Sequence, residues 1–257
     1  MAAVTTIDDL SGLRALAAML PDTAATVITL HTLRRGSCRA HLTGPIARPT
    51  ALVVDYDEVP GEPGCFADDP DLLWTILRDM PGWFSANMPE SLAPAVGTLI
   101  ERDWSEPARY LGDLYFTLQR PAPTLSDAAV RRLTPADQPL LDAAPATLRG
   151  AGFGTTGGLL AEGIAAAAIV DNALVAIAHT FAISDRHADI GVATHEAFRG
   201  RGYATAAASL VAQAIQASGR TPVWSCGETN QPSLRVAAKL GFQPALRREY
   251  VIVESRR

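Results

Sequence analysis

One stretch constrains this chain more than any other: Val192-Ala-Thr-His-Glu-Ala-Phe-Arg-Gly-Arg-Gly-Tyr-Ala204. A β-favouring run enters a turn with glycine at 200 and 202, and a helical pattern begins at once. Ala204, Ala207, Leu210, Val211, Ala214 and Ile215 recur at helical spacing, and Gly219 ends the run. The N–H groups of a helix's first turn have no intrahelical partner, and the helix dipole places partial positive charge there. Glycine lets an oxygen-rich ligand approach the backbone closely. With Arg199 and Arg201 beside it, such a turn predicts an anion cradle suited to a pyrophosphate. The spacing is not that of a P-loop, which needs Gly-x-x-x-x-Gly-Lys-Ser/Thr. Nor is it the Gly-x-Gly-x-x-Gly of a dinucleotide fold.

The surrounding sequence reads as an α/β domain. A short strand near residues 128–132 precedes a helix capped by Thr134 with Pro135 at its first position. Gly150 to Gly158 reads as a glycine-rich loop. Ile164–Val170 and Ala173–Ala182 are strand-like and joined by Asp171-Asn172, a hairpin signal. His187–Thr194, Thr221–Cys226 and Arg247–Glu254 read as strands, and Gln231–Leu240 as a helix ending at Gly241. The fold class expected is α/β (α+β), a mixed sheet flanked by helices.

The segment Gln119–Thr124, with two prolines, is the expected linker, giving domains 1–124 and 125–257. The first half predicts strands at Ala51–Tyr56, Trp83–Asn87 and Tyr110–Gln119, with helices at Pro70–Met80 and Leu92–Asp103. That β-α-β-α-β order repeats the order from His187 to Glu254, and Trp83 and Ser91 sit where Trp224 and Ser233 sit. An internal duplication is the expectation.

The net charge of −5 argues against a general nucleic-acid binder. It is unevenly shared: residues 1–125 hold 9 Arg against 16 acids (−7), and residues 126–257 hold 13 bases against 11 acids (+2). Three cysteines at unrelated spacings suggest neither a disulfide framework nor a metal site. Asp8 and Asp9 stand where a leader would carry positive charge, and Asp171-Asn172 breaks the longest apolar run. A cytoplasmic protein without membrane or nucleic-acid partners is expected.

Residues 128–257 resemble the GNAT superfamily of acyl-CoA-dependent N-acetyltransferases. The family signature Gln/Arg-x-x-Gly-x-Gly/Ala stands here as Arg199-x-x-Gly202-x-Ala204. Its second landmark stands as Asn230, Ser233 and Lys239-Leu240-Gly241-Phe242. The resemblance implies a mostly antiparallel GNAT sheet, with the first half as a degenerate repeat of a tandem pair. It implies acetyl-CoA as acyl donor, with its pyrophosphate on the backbone of Arg199, Gly200, Arg201, Gly202, Tyr203 and Ala204. Pantetheine would pair with Val192, Ala193 and Thr194, where strand Ile190–Thr194 splays from Val223–Cys226. Asn230 and Ser233 would contact the CoA arm.

Catalytic roles are less determined. Family members often carry an acid where Asp189 stands, which makes Asp189 a candidate base, with Glu196, Glu228 and His187 near it. The family's usual tyrosine acid is replaced by Ala237, leaving Ser233, Tyr250 or water. The expected function is direct acetyl transfer to an amine acceptor, cationic if the acids of Asp55–Asp71 line its approach. Two other functions stay open: a non-catalytic CoA-binding sensor, and an acyltransferase with another donor or acceptor. Assembly stays open between monomer and homodimer. Trp83, Trp104, Trp224 and Cys226 read as core residues.

Overall fold

The computed structural model describes residues 3–256. The chain runs β1 (Val4–Ile7), α1 (Leu10–Met19), α2 (Val27–Arg35), β2 (Cys38–Thr43), β3 (Ala51–Tyr56), β4 (Gly64–Ala67), α3 (Pro70–Leu77), β5 (Ser85–Pro89), α4 (Ala93–Trp104) and β6 (Arg109–Thr117). It continues as β7 (Val130–Arg132), α5 (Gln138–Ala143), α6 (Thr156–Glu162), β8 (Ala165–Val170), β9 (Ala173–Ile183), β10 (His187–Thr194), α7 (Tyr203–Ala217), β11 (Thr221–Gly227), α8 (Gln231–Leu240) and β12 (Gln243–Ile252). The two successions are the same: a strand, two helices, three strands, a helix, a strand, a helix and a strand. The repeat is therefore longer than the β-α-β-α-β visible in the sequence.

The chain divides into two compact units, but not by a single cut at 124/125. One contains Met1–Pro21, Thr29–Leu114 and Leu246–Arg257; the other contains Asp22–Ile28 and Tyr115–Ala245. The closing strand of each half is thus claimed, in part, by the other half's unit. In the first unit the strands run β1-β2-β3-β4-β5-β12, and β12 pairs antiparallel with β5 from Arg248↔Pro89 to Ile252↔Ser85. Its core gathers Val53, Leu73, Trp74, Leu77, Trp83, Met88, Val96, Ile100 and Val251.

In the second unit the strands run β11-β10-β9-β8-β7, antiparallel except for β10 with β11. Asp171 and Asn172 make the β8–β9 turn with φ of 49° and 60°, the left-handed geometry a two-residue hairpin demands. One face packs Ala207, Ala208, Val211 and Ile215 of α7 with Trp224, Leu240 and Phe242. Another cluster joins Leu141, Leu148, Leu159 and Leu160 to Ala165, Ala167 and Ile177. Runs of alanine on β8 and α7 let helix and sheet approach closely. No helix among the described residues is long and apolar enough to cross a membrane.

Several boundaries differ from those expected. The glycine-rich loop ends early, because Thr155 caps α6 by accepting the Gly158 N–H. The strand expected at Trp83–Asn87 lies at Ser85–Pro89, because Trp83 is held earlier by its indole N–H donating to the Leu77 carbonyl at 2.8 Å. The fourth strand of the first half is not Ala51–Tyr56 but the short β4, whose Gly-Cys-Phe-Ala sequence shows little alternation.

Candidate active site

The site begins where two strands part. β10 and β11 pair in parallel only over His187–Asp189 with Thr221–Val223. Beyond that, β10 continues to Thr194 along β9 alone, after a bulge between Asp189 and Ile190. The extra residue of the bulge, Phe181, lies on β9, and the added local twist falls where β10 leaves β11. The His195 N–H donates to the Val175 carbonyl. Because strand groups alternate sides, the amides of Val192 and Thr194 face away from β9, towards the gap.

At the end of β10 the chain makes a short turn and starts α7. Gly200 and Gly202 have φ of +79° and +88°, and a Cβ on either would meet nothing within 4 Å. Their backbone lies open, as an anion cradle requires. Gly202 caps α7 without a side-chain hydrogen bond, so the first-turn amides are left to solvent or ligand. The Arg199 N–H is an exception, since it donates to the Glu196 carbonyl at 3.2 Å.

A cavity of about 880 Å³ opens here, lined by both strand end and cradle, within the usual range for small-molecule sites. Val192, Ala193, Thr194, Arg199, Gly200, Gly202, Tyr203 and Ala204 line it, as do Glu196, Asn230 and Ser233. Arg201 stands apart, its guanidinium 4.9 Å over the Phe198 ring and donating to the Ala197 carbonyl.

The start of α8 is held by a small network. Asn230 Oδ1 accepts the Ser233 N–H at 3.2 Å, the usual work of an N-cap. The Trp224 indole N–H donates to Ser233 Oγ at 2.9 Å. An indole can only donate, so this bond takes a lone pair of Ser233 and leaves its hydroxyl proton to be given elsewhere. Trp224 is core, as expected, at 1% exposure, but it also orients a cavity residue, a role its sequence context does not signal. Ala237 is buried with Trp224, Leu240 and Phe242, so no hydroxyl stands at that position.

Other candidates lie elsewhere. Asp189 is 4% exposed and outside the cavity lining; Ser225 Oγ donates to its carboxylate at 3.1 Å. His187 donates from Nδ1 to Asp22 at 2.7 Å. Burial alone would raise the Asp22 pKa, but hydrogen bonds from His187, Ser184 and the Arg186 amide outweigh it and hold the carboxyl below its usual range. That cluster ties Asp22–Ile28 to the β9–β10 turn. Tyr250 belongs to the first unit, where burial and then the nearby Asp113 push its phenol well above the usual range. It is not a residue of this cavity: its strand leaves the second unit at Leu246, a pairing that local spacing does not reveal. The lining also includes Thr147, Thr205, Arg235 and Lys239, to which the sequence assigns no place in the site. For the last two, the available signal is their helical spacing from Pro232 on α8.

Residues 150–253 match the GNAT acetyltransferase family. The second half of this chain is thus similar to the GNAT acetyltransferases in sequence, and is called the GNAT half. The GNAT likeness of the fold extends across the whole chain. A structural-genomics protein from Drosophila aligns over 100% of both chains with a TM-score of 0.70 at 13% identity. A GCN5-related N-acetyltransferase-like protein from Streptococcus suis covers 95% of this chain and 99% of its own, with a TM-score of 0.68 at 17% identity. A tandem GNAT protein of the clavulanic acid biosynthesis pathway covers 97% of each chain at a TM-score of 0.54 and 13% identity. At such identities the likeness is one of fold. No curated protein matches in sequence. The parted strands and glycine cradle therefore stand in a GNAT-like fold.

Proposed function

We propose that the GNAT half transfers an acetyl group from acetyl-CoA directly to an amine. One observation carries this reading: the gap between β10 and β11 opens beside a helix start whose glycine cap leaves the backbone amides without a side-chain partner. Pyrophosphate would sit on the amides from Gly200 to Ala204, and pantetheine along Val192 and Thr194. An N–H of that strand edge would meet the thioester oxygen as negative charge develops on it. The amine nitrogen forms the new bond to the carbonyl carbon, and the carbon–sulfur bond breaks. Holding both partners in this geometry supplies much of the rate.

Two protons move. The amine loses one, and the thiolate gains one. For the second, Ser233 is the donor we favour, since Trp224 leaves its proton available. For the first, Asp189 would act through Ser225, whose hydroxyl touches its carboxylate and lies on β11 beyond its pairing with β10. Glu196, on the cavity wall, is the competing base. Asp189→Asn and Ser225→Ala should both flatten the alkaline rise of kcat/KM; an unchanged profile in both would move the role to Glu196. Ser233→Ala should lower kcat by about 100-fold.

The charge of −7 on residues 1–125 supports a cationic acceptor, and the three free cysteines support a cytoplasmic setting. The deciding experiment is thiol release from acetyl-CoA across a panel of amines. Release that depends on an amine supports the reading. Tight binding of acetyl-CoA with no amine-dependent release would favour a CoA-binding sensor.

A further inference from the structure

The cavity wall is more basic than the pyrophosphate cradle needs. Its lining holds Arg199, Arg235 and Lys239 against one carboxylate, Glu196, in a protein whose net charge is −5. Lys239 is also the chain's sole lysine. Arg235 and Lys239 lie four residues apart on α8, hence on one face of the helix, where like charges repel and destabilise it. Both are exposed, and among the described residues neither has an ion pair or hydrogen bond to relieve that repulsion. The opposite face of α8 puts Ala237 and Leu240 into the core, so the helix cannot turn these cations away. At about 1.5 Å per residue, Lys239 stands roughly 9 Å along the axis from Ser233.

We infer that Arg235 and Lys239 form a second anion site in this cavity, distinct from the glycine cradle, which takes the ribose 3′-phosphate of the acyl donor. The inference rests on the acyl-CoA reading of this cavity. The cradle supplies backbone amides, which suit the diester oxygens of a pyrophosphate. Two full positive charges on one helix face suit a phosphomonoester, which carries close to two negative charges at neutral pH. A guanidinium forks onto two oxygens, and the flexible lysine adds a point charge. Arg235 and Lys239 therefore act as specificity determinants: they select the 3′-phosphorylated nucleotide and touch none of the reacting atoms.

The test is calorimetric titration of CoA, dephospho-CoA and 4′-phosphopantetheine into the full chain. Wild-type protein should prefer CoA to dephospho-CoA by about 10- to 100-fold, the scale of one or two hydrogen bonds to charged groups. In Arg235→Gln/Lys239→Gln the preference should fall below about 3-fold, with dephospho-CoA affinity little changed. The exposed single variant Lys239→Gln, checked for unaltered circular dichroism, should give an intermediate ratio. Equal affinities in wild type, or a full preference kept in the double variant, would overturn the inference and leave the acyl-CoA reading standing. No binding of any of the three compounds would overturn both.

Discussion

The two halves repeat one succession of elements and treat the same two places in opposite ways. In the GNAT half the two parallel strands part after Asp189↔Val223, and α7 starts at a glycine with no side-chain cap. In the first unit the corresponding strands, β4 and β5, pair at Gly64↔Asn87, and the chain's own side chains satisfy the polar groups around that pair. Arg248, 6% exposed, donates to the Cys65 carbonyl at 2.7 Å on β4. It also donates to Asn87 Oδ1 at 2.5 Å and the Asn87 carbonyl at 3.2 Å on β5. Phe66 lies under its guanidinium at 4.9 Å, and Asn87 passes the network on to Asp113 at 2.9 Å. At the next helix, α3, Asp69 accepts the Asp71 and Leu72 amides. A guanidinium bridges the strands and a carboxylate satisfies the helix start. One unit closes these polar groups with its own side chains; the other leaves its helix start without a side-chain partner.

That contrast can be challenged from either half, and the cradle carries the largest expected effect. Gly202→Val puts a β-branched residue at φ +88°, where L-residues are strained. It should weaken CoA binding by more than about 100-fold while leaving the first unit's stability intact. Calorimetry with circular dichroism checks this, and retained binding would move the site elsewhere.

Arg248→Met should cost roughly 3–5 kcal/mol in urea unfolding, because removing a buried charge leaves its partners unsatisfied. The folded fraction should still bind CoA. Full stability would mean that the guanidinium does not hold β4 to β5.

An acid-sensitive group marks the GNAT half. His179 Nε2 accepts the Ala151 N–H at 3.1 Å, its Nδ1 has no partner, and burial lowers its pKa to about 4. A Cβ on the neighbouring Gly191 would fall 2.9 Å from the ring, so glycine there makes room for it. The unfolded chain takes up this proton near pH 6.5 and the folded one near pH 4. Stability should therefore be full above about pH 6.5 and fall between about 6.5 and 4, by on the order of 3 kcal/mol. Urea midpoints against pH should lose that slope in His179→Phe, and a persisting slope would assign it to another group.

Asp69→Ala has the smallest expected effect, about 1 kcal/mol for a lost cap. It should not create a second CoA site, since Arg248 still spans the strands. A second site appearing would show that the aspartate alone closes that half.

What is legible in the sequence is local. The glycine pair at 200 and 202, the periodicity of α7 and the Asp171-Asn172 turn each act within a few residues, and each stands in the structure as expected. The first half's opening elements escape a sequence reading because β1 and β4 are four residues each and α2 mixes threonine and arginine with its leucines. The acidic loop after Ala51–Tyr56 is not the counterpart of the cradle. The counterpart is the turn at Asp68-Asp69 after β4, one strand later. Tyr250 lies away from the cavity for a longer-range reason. Whether β12 serves its own half or the other is decided by pairing with β5, across more than 150 residues of chain. Asp189 stands on β10 as its sequence context predicts, but its burial beneath Ser225 depends on which strand lies alongside, which spacing does not encode.

If one unit binds the acyl donor and the other has closed the equivalent place with its own side chains, acetyl-CoA binds once per chain. The binding stoichiometry of acetyl-CoA, measured by native mass spectrometry of the intact chain, tests this most directly. One molecule per chain is expected in the wild type and in Asp69→Ala, and none in Gly202→Val. Two molecules per chain, or one that survives Gly202→Val, would contradict the division of roles between the halves.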